Sequence, residues 1–177
     1  MTMFKFKAAL LAVLLFVISG HVMASPVNDM APDFKLRGMD QNIYILGELR
    51  DPAYVLLVFG SADCVHCRAQ TPVLNEWHKL YSDEQLRIVA INAVQESLEK
   101  TREYMKQHQV DYLVLNNQHF NQAVVDAYGI RITPTNILVS PDGRIVYQGH
   151  TLPDIRQWLN PVDVTPAEIS TQPESPE

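Results

Sequence analysis

The chain has 177 residues, of which 47% are hydrophobic and 19% are charged, and its formal net charge is −6. This length suits one domain with a sizeable core plus extensions, and the composition is that of a globular protein rather than a disordered one. The acidic charge argues against nucleic acid as a partner, because it repels phosphates.

The first 24 residues have the pattern of a secretory signal peptide. Lys5 and Lys7 form a short basic region, Ala8–Ile18 is apolar, and Val22 and Ala24 have the modest side chains that a signal peptidase reads. The apolar run is shorter than the roughly 20 residues of a membrane-spanning helix, so a retained anchor is the less favoured alternative. We therefore expect a periplasmic protein, soluble after cleavage and free of membrane contact unless this segment is retained.

A predicted buried strand leads into the two cysteines of the chain. Tyr54–Phe59 is a nearly continuous apolar run with β-branched and aromatic members, as in a strand covered on both faces. Cys64 and Cys67 follow, and apolar residues from Cys67 to Tyr81 recur at helical spacing around Pro72. The cysteines therefore lie at a junction of strand and helix.

Strands and helices alternate through the rest of the chain, which predicts an α/β fold with a mixed sheet covered on both faces. The predicted strands are Leu86–Ile91, Tyr112–Leu115 and a hairpin of Thr135–Ser140 and Arg144–Tyr147 around a Pro-Asp-Gly turn. The predicted helices are Ser97–His108 with Ser97 as its N-cap, Asn121–Tyr128 closed by Gly129, and Asp154–Leu159.

We divide the chain into three predicted segments: a signal peptide at 1–24, one folded domain at 25–160 and a tail at 161–177. The tail contains four prolines, four acidic residues and no aromatic residue. It cannot bury enough apolar surface to offset the entropy of ordering, so we expect it to be disordered. A docking peptide is the alternative interpretation of the same segment.

Several chemistries use two cysteines that are separated by two residues. A structural zinc site needs four ligands, and the chain has only these two cysteines and no close pair of histidines. Covalent haem attachment needs a histidine after the second cysteine, where this chain has Arg68. A structural disulfide remains an alternative, although so small a loop removes little freedom from the unfolded chain. A redox-active dithiol is the favoured interpretation.

The start of a helix suits a reactive thiol. Its unpaired N–H groups and the positive end of its dipole stabilise a thiolate, so Cys64 is predicted to be the nucleophile. Cys67, one turn further on, would resolve the mixed disulfide. His66 is predicted to favour the thiolate when cationic, and Asp63 either opposes it by repulsion or serves as the N-cap of the helix.

Four landmarks occur in order: Ala31–Leu36, Cys64–Pro72, Tyr128–Thr135 and Pro141–Val146. With them, the chain from about residue 31 to 159 resembles the thioredoxin-like superfamily, and within it the exported TlpA/DsbE-like thiol-disulfide oxidoreductases. The resemblance implies a thioredoxin fold with a central mixed β-sheet flanked by helices. It also implies a cis-proline at Pro134 that faces the dithiol.

The resemblance further implies that the Thr133 backbone pairs with an incoming peptide strand beside the cysteines. Val65 and Ile132 are predicted apolar contacts around the sulfur atoms. Two departures from the family pattern lie close to the dithiol. Asp63 replaces the usual tryptophan, and Val58 replaces the buried acid that serves thioredoxin as a proton acceptor for the residue equivalent to Cys67.

A third departure is the lack of a glutamate at Thr135 or at Val65-His66, positions where reductive members often have one. The sequence therefore predicts an exported oxidoreductase, acting as oxidant or reductant, that exchanges disulfides with cysteine-containing envelope proteins and with a redox partner protein. No cofactor is expected, because the dithiol itself carries two electrons. The alternative is a non-catalytic thioredoxin-like scaffold or copper-handling protein, since soft thiolates select Cu(I).

Overall fold

The computed structural model describes residues 27–81, 83–116 and 121–159. The predicted signal peptide at 1–24 and the predicted tail at 161–177 lie outside the described residues. Within the described ranges, no helix combines the length and apolar character that crossing a membrane requires.

The fold centres on a five-stranded mixed sheet. Its strand order is β5-β4-β3-β6-β7, with β3 parallel to β4, β4 parallel to β5, and β6 antiparallel to both β3 and β7. The bounds of these strands are Tyr54–Gly60 for β3, Leu86–Asn92 for β4, Leu113–Leu115 for β5, Thr135–Val139 for β6 and Ile145–Gly149 for β7. A separate antiparallel pair consists of β1, Lys35–Arg37, and β2, Ile43–Ile45.

Helices cover both faces of the sheet, which explains why β3 is apolar on both sides. Alternate residues of β3 belong to two separate core clusters, one around Leu57 and one around Leu56. Helix α1, Leu46–Leu49, and helix α4, Asn121–Ala127, pack in the first cluster. Helix α2, Val65–Leu80, helix α3, Leu98–Gln107, and a 3₁₀ turn at Ile155–Gln157 pack in the second.

Most of the predicted elements are present, and the predicted fold class is confirmed. Ser97 is the N-cap of α3, with its Oγ accepting a hydrogen bond from the Lys100 backbone N–H at 3.2 Å. Gly129 follows α4 with φ +63°, in the left-handed conformation that glycine adopts without a steric penalty.

The predicted helix at Asp154–Leu159 is wrong in type and length, because only one 3₁₀ turn forms there. The Asp154 side chain makes no capping hydrogen bond and instead accepts from Arg156 Nε at 2.8 Å. A segment this short cannot offset the cost of nucleating an α-helix. Its apolar residues Ile155 and Leu159 are nevertheless buried, as the pattern predicts.

Candidate active site

The two cysteines form a disulfide at the start of α2. Their Cα atoms are 5.2 Å apart, Cys64 is the N-cap of the helix, and Cys67 lies in its first turn. The predicted junction of strand and helix is therefore present, with a loop of three residues between Gly60 and Cys64.

The Cys64 sulfur takes the place that a capping oxygen normally has. Its Sγ accepts a hydrogen bond from the Cys67 backbone N–H at 3.1 Å. An unpaired N–H at the positive end of the helix dipole favours negative charge at the acceptor. In the reduced protein, a thiolate at Cys64 would be stabilised by both effects.

The prediction that Asp63 caps the helix is wrong, because Cys64 has that position. The Asp63 side chain is 78% exposed, and its carboxylate forms an ion pair with Lys100 of α3. A hydrogen bond to Asp63 raises the pKa of Lys100. This ammonium compensates the negative charge that precedes the leading cysteine, so repulsion of a Cys64 thiolate by Asp63 is reduced.

Gly60 allows the second sulfur to pack against the end of β3. A Cβ atom added at Gly60 would lie 3.2 Å from Cys67 Sγ, closer than ordinary van der Waals contact. Cys67 is only 7% exposed, whereas Cys64 is partly exposed. Cys64 is therefore the more accessible of the two cysteines, and Cys67 is held in the interior.

Two apolar side chains and one imidazole were predicted to surround the exposed cysteine, and all three are exposed. Val65 and His66, both exposed, are the first two residues of α2. Ile132 belongs to the loop before β6, and its side chain is exposed as well. Exposed apolar residues beside a reactive group are typical of a surface that binds a partner.

The loop before β6 lies at the same end of the sheet as the disulfide. Phe59 near the end of β3 is paired with Thr135 at the start of β6, so Pro134 lies opposite the start of the cysteine loop. The Thr133–Pro134 peptide bond is cis, and Pro134 is buried. His150 Nδ1 lies 3.0 Å from the Pro134 carbonyl oxygen.

A cavity of about 50 Å³ lies behind the disulfide, and Cys67, Val58 and Glu96 line it. The Glu96 side chain is 4% exposed, and its carboxylate oxygens accept from the Ala62 backbone N–H and from Asn92 Nδ2, both at 3.0 Å. Glu96 was not predicted as a site residue, because it lies far from both cysteines in the sequence. The available signal was its place just after β4: parallel strands end at the same edge of a sheet, and β4 runs parallel to β3.

Hydroxyl groups complete the polar side of this cavity. Tyr104 Oη lies 2.6 Å from Thr71 Oγ1, which donates to the Cys67 carbonyl oxygen at 3.2 Å. Burial raises the pKa of Tyr104, so its phenol stays protonated at neutral pH. The cavity thus combines a carboxylate, neutral hydroxyls and the inner sulfur.

Comparison with known proteins matches residues 27–148 to the AhpC/TSA family. The chain is 29% identical over 130 residues to the thiol-disulfide oxidoreductase ResA of Bacillus subtilis, covering 73% of this chain and 70% of that protein. The thioredoxin domain of a thiol-disulfide oxidoreductase from Bacteroides vulgatus has a similar fold. It has a TM-score of 0.68 and 22% identity, and the match covers 76% of this chain and 98% of that one.

A thiol:disulfide interchange protein from a Bacteroides species is similar to the same extent. Its TM-score is 0.69 at 22% identity, and the match covers 78% of this chain and 93% of that one. These likenesses confirm the thioredoxin fold. The chain belongs to the AhpC/TSA family and is a thiol-disulfide oxidoreductase.

Proposed function

We propose that this protein is exported and exchanges its Cys64–Cys67 disulfide or dithiol with cysteines of other exported proteins through a mixed disulfide at Cys64. The observation that carries the proposal is the difference between the two sulfur atoms. Cys64 is partly exposed and its Sγ accepts a hydrogen bond from a backbone N–H at the helix N-terminus, whereas Cys67 is only 7% exposed.

In the reducing direction, the Cys64 thiolate attacks one sulfur of a partner disulfide, and the other partner sulfur leaves with the electron pair. The mixed disulfide then breaks when Cys67, having lost its proton, attacks Cys64 Sγ. The partner leaves as a second thiolate, and the protein holds the intramolecular disulfide. The oxidising direction is the reverse sequence, and the same two sulfur atoms carry both electrons.

The surroundings of Cys64 suit an extended peptide segment as the partner. Val65 is 64% exposed and Ile132 is 56% exposed, so each offers an apolar contact. Thr133 precedes the buried Pro134 in the loop before β6, where its backbone would pair with the incoming strand. His66 is exposed in the first turn of α2, where a cationic imidazole would favour the Cys64 thiolate.

Export is supported by the sequence at the N-terminus. Lys5 and Lys7 precede the apolar run Ala8–Ile18, and modest side chains at Val22 and Ala24 follow. An oxidising compartment outside the cytosol also suits a protein that works through a disulfide. The partners proposed here are therefore exported proteins with exposed cysteines.

The proposal is tested by trapping the mixed disulfide. Reduced Cys67→Ala is incubated with insulin, and adducts are identified by mass spectrometry under non-reducing conditions. We expect a stable adduct at Cys64, because no second thiol remains to release it. The matched control is Cys64→Ala, whose remaining thiol is buried and should form adducts at least about tenfold more slowly.

Equal adduct formation by the two variants would contradict the assigned roles. An absence of adducts in both variants would contradict exchange altogether and favour a scaffold. Insulin reduction by the wild-type protein, lost in both variants, completes the test.

A further inference from the structure

We propose that Glu96 is the proton acceptor for Cys67 when the mixed disulfide is resolved, acting through a water molecule in the cavity that both side chains line. This inference rests on the proposed exchange at Cys64 and adds to it the group that takes the proton.

Cys67 needs such a group because it is buried. A thiol must lose its proton before it attacks, and burial disfavours the charged form. Val58 on β3 lines the same cavity but is apolar and accepts no proton. Among the residues that line this cavity, Glu96 is the only one with an acidic carboxyl group.

Glu96 is held so that its carboxylate stays in the cavity with a countercharge. One oxygen accepts from the Ala62 backbone N–H at 3.0 Å, and the other accepts from Asn92 Nδ2 at 3.0 Å. The ammonium of Lys100 lies 3.6 Å from Oε1. A carboxylate offers about four lone-pair sites, so these contacts leave capacity for a water molecule.

The cavity has the size and polarity that a water molecule requires. Its volume of about 50 Å³ exceeds the ~10–15 Å³ that one water occupies. A buried water also needs two to four polar partners, and the cavity offers Glu96 together with the hydroxyl groups of Tyr104 and Thr71. A proton from Cys67 can therefore reach Glu96 through one intervening molecule.

In the resolving step, one proton moves to Glu96 and two electrons move to the partner. The Cys67 thiol gives its proton to the water, which passes a proton to the Glu96 carboxylate. The Cys67 thiolate then forms a bond with Cys64 Sγ, the bond from Cys64 to the partner sulfur breaks, and the electron pair leaves on that sulfur. Cys67 and Cys64 are oxidised to the disulfide, the partner is reduced, and the proton on Glu96 is later lost to solvent or to the partner thiolate.

The test uses the reduced full-length protein and 5,5′-dithiobis(2-nitrobenzoic acid), which releases one nitrothiobenzoate when Cys64 attacks and a second when Cys67 resolves the adduct. We compare both rates between pH 6 and 10 in the wild-type protein and in Glu96→Gln. The variant should resolve the adduct about a hundredfold more slowly at pH 6, the scale of general base catalysis. Its rate should rise with pH until hydroxide replaces the missing base, whereas the first release stays at the wild-type rate.

Glu99→Gln is the matched control, because Glu99 is an exposed carboxylate in the first turn of α3, three residues after Glu96. Both releases should be unchanged in it. If Glu96→Gln does not fold, Glu96→Asp carries the test: we expect a slower second release with the pH profile of the wild-type protein.

A second release that matches the wild-type rate and pH profile in the Glu96 variant would overturn the inference and leave the exchange mechanism in place. A wild-type protein that shows no second release at all would instead contradict the proposed exchange, so the two failures are distinguishable.

Discussion

A single missing side chain at Gly60 lets the inner sulfur approach the central sheet. A Cβ atom added at Gly60 would lie 3.2 Å from Cys67 Sγ. Cys67 itself is held in the first turn of α2. Phe59, which precedes Gly60 on β3, is fully buried, so the end of the strand has little room to shift. This contact fixes the depth of Cys67 relative to Cys64.

The substitution Gly60→Ala is expected to lower the free energy of unfolding of the oxidised protein by about 1–3 kcal/mol, the usual cost of overpacking. Urea titration followed by circular dichroism measures it. Gly47→Ala is the control, because an added Cβ there meets only Asp33 Oδ2 at 4.0 Å, and helix α1 should tolerate alanine. Equal stability of the two variants would show that the packing of Cys67 Sγ does not require a glycine at position 60.

At the scale of elements, α3 is joined to the active site at its N-terminus. Ser97 caps the helix, Glu96 precedes the cap and reaches the cavity, and Lys100 in the first turn contacts both Asp63 and Glu96. The start of this helix therefore positions charges on the outer and the inner side of the disulfide.

Ser97→Ala is expected to lower the free energy of unfolding by about 1 kcal/mol, because the Lys100 N–H loses its capping oxygen. Ser97→Thr keeps a hydroxyl and should retain most of that stability. Both values come from urea titration. A threonine variant as unstable as the alanine variant would argue that the hydrogen bond is not the cause.

The long elements were predictable from their patterns, whereas β1, β2 and α1 were not. Strand β3 and helix α2 each have a long apolar pattern, but β1 and β2 have three residues each and α1 has four, too few to show a period. The cap of α2 was misassigned because aspartate is the commoner capping residue, and a sulfur in that role has no distinctive sequence pattern. Glu96 reaches the site through the parallel pairing of β3 and β4, which no local pattern reveals.

At the scale of the whole molecule, each core cluster contains a buried tyrosine whose ionisation affects stability. Tyr128 packs on Phe59 and donates to the Pro32 carbonyl oxygen at 2.7 Å, and Tyr112 lies in the other cluster. Burial raises the pKa of both phenols above the ordinary value of 10.0. The contribution of each protonated phenol to the free energy of unfolding is fully present below pH 10. It is lost as pH rises further, because each tyrosine then releases a proton when the protein unfolds.

Above pH 10, each tyrosine should therefore cost about 1.4 kcal/mol of unfolding free energy per pH unit. Tyr128→Phe and Tyr112→Phe should each remove one such contribution from the dependence of the unfolding free energy on pH. The double variant should remove both contributions. Urea titrations between pH 9 and 11 measure the slopes. Slopes that match the wild-type protein would mean that these phenols ionise as readily in the folded state as in the unfolded one.

The proposed exchange depends on the charge of one sulfur atom, that of Cys64 in the reduced protein. The direct measurement is the pH dependence of iodoacetamide alkylation, with the modified residue identified by mass spectrometry. We predict that Cys64 reacts first and that its thiol pKa lies well below the ordinary value of about 8.5. A pKa at or above that value, or faster alkylation of Cys67, would contradict the account.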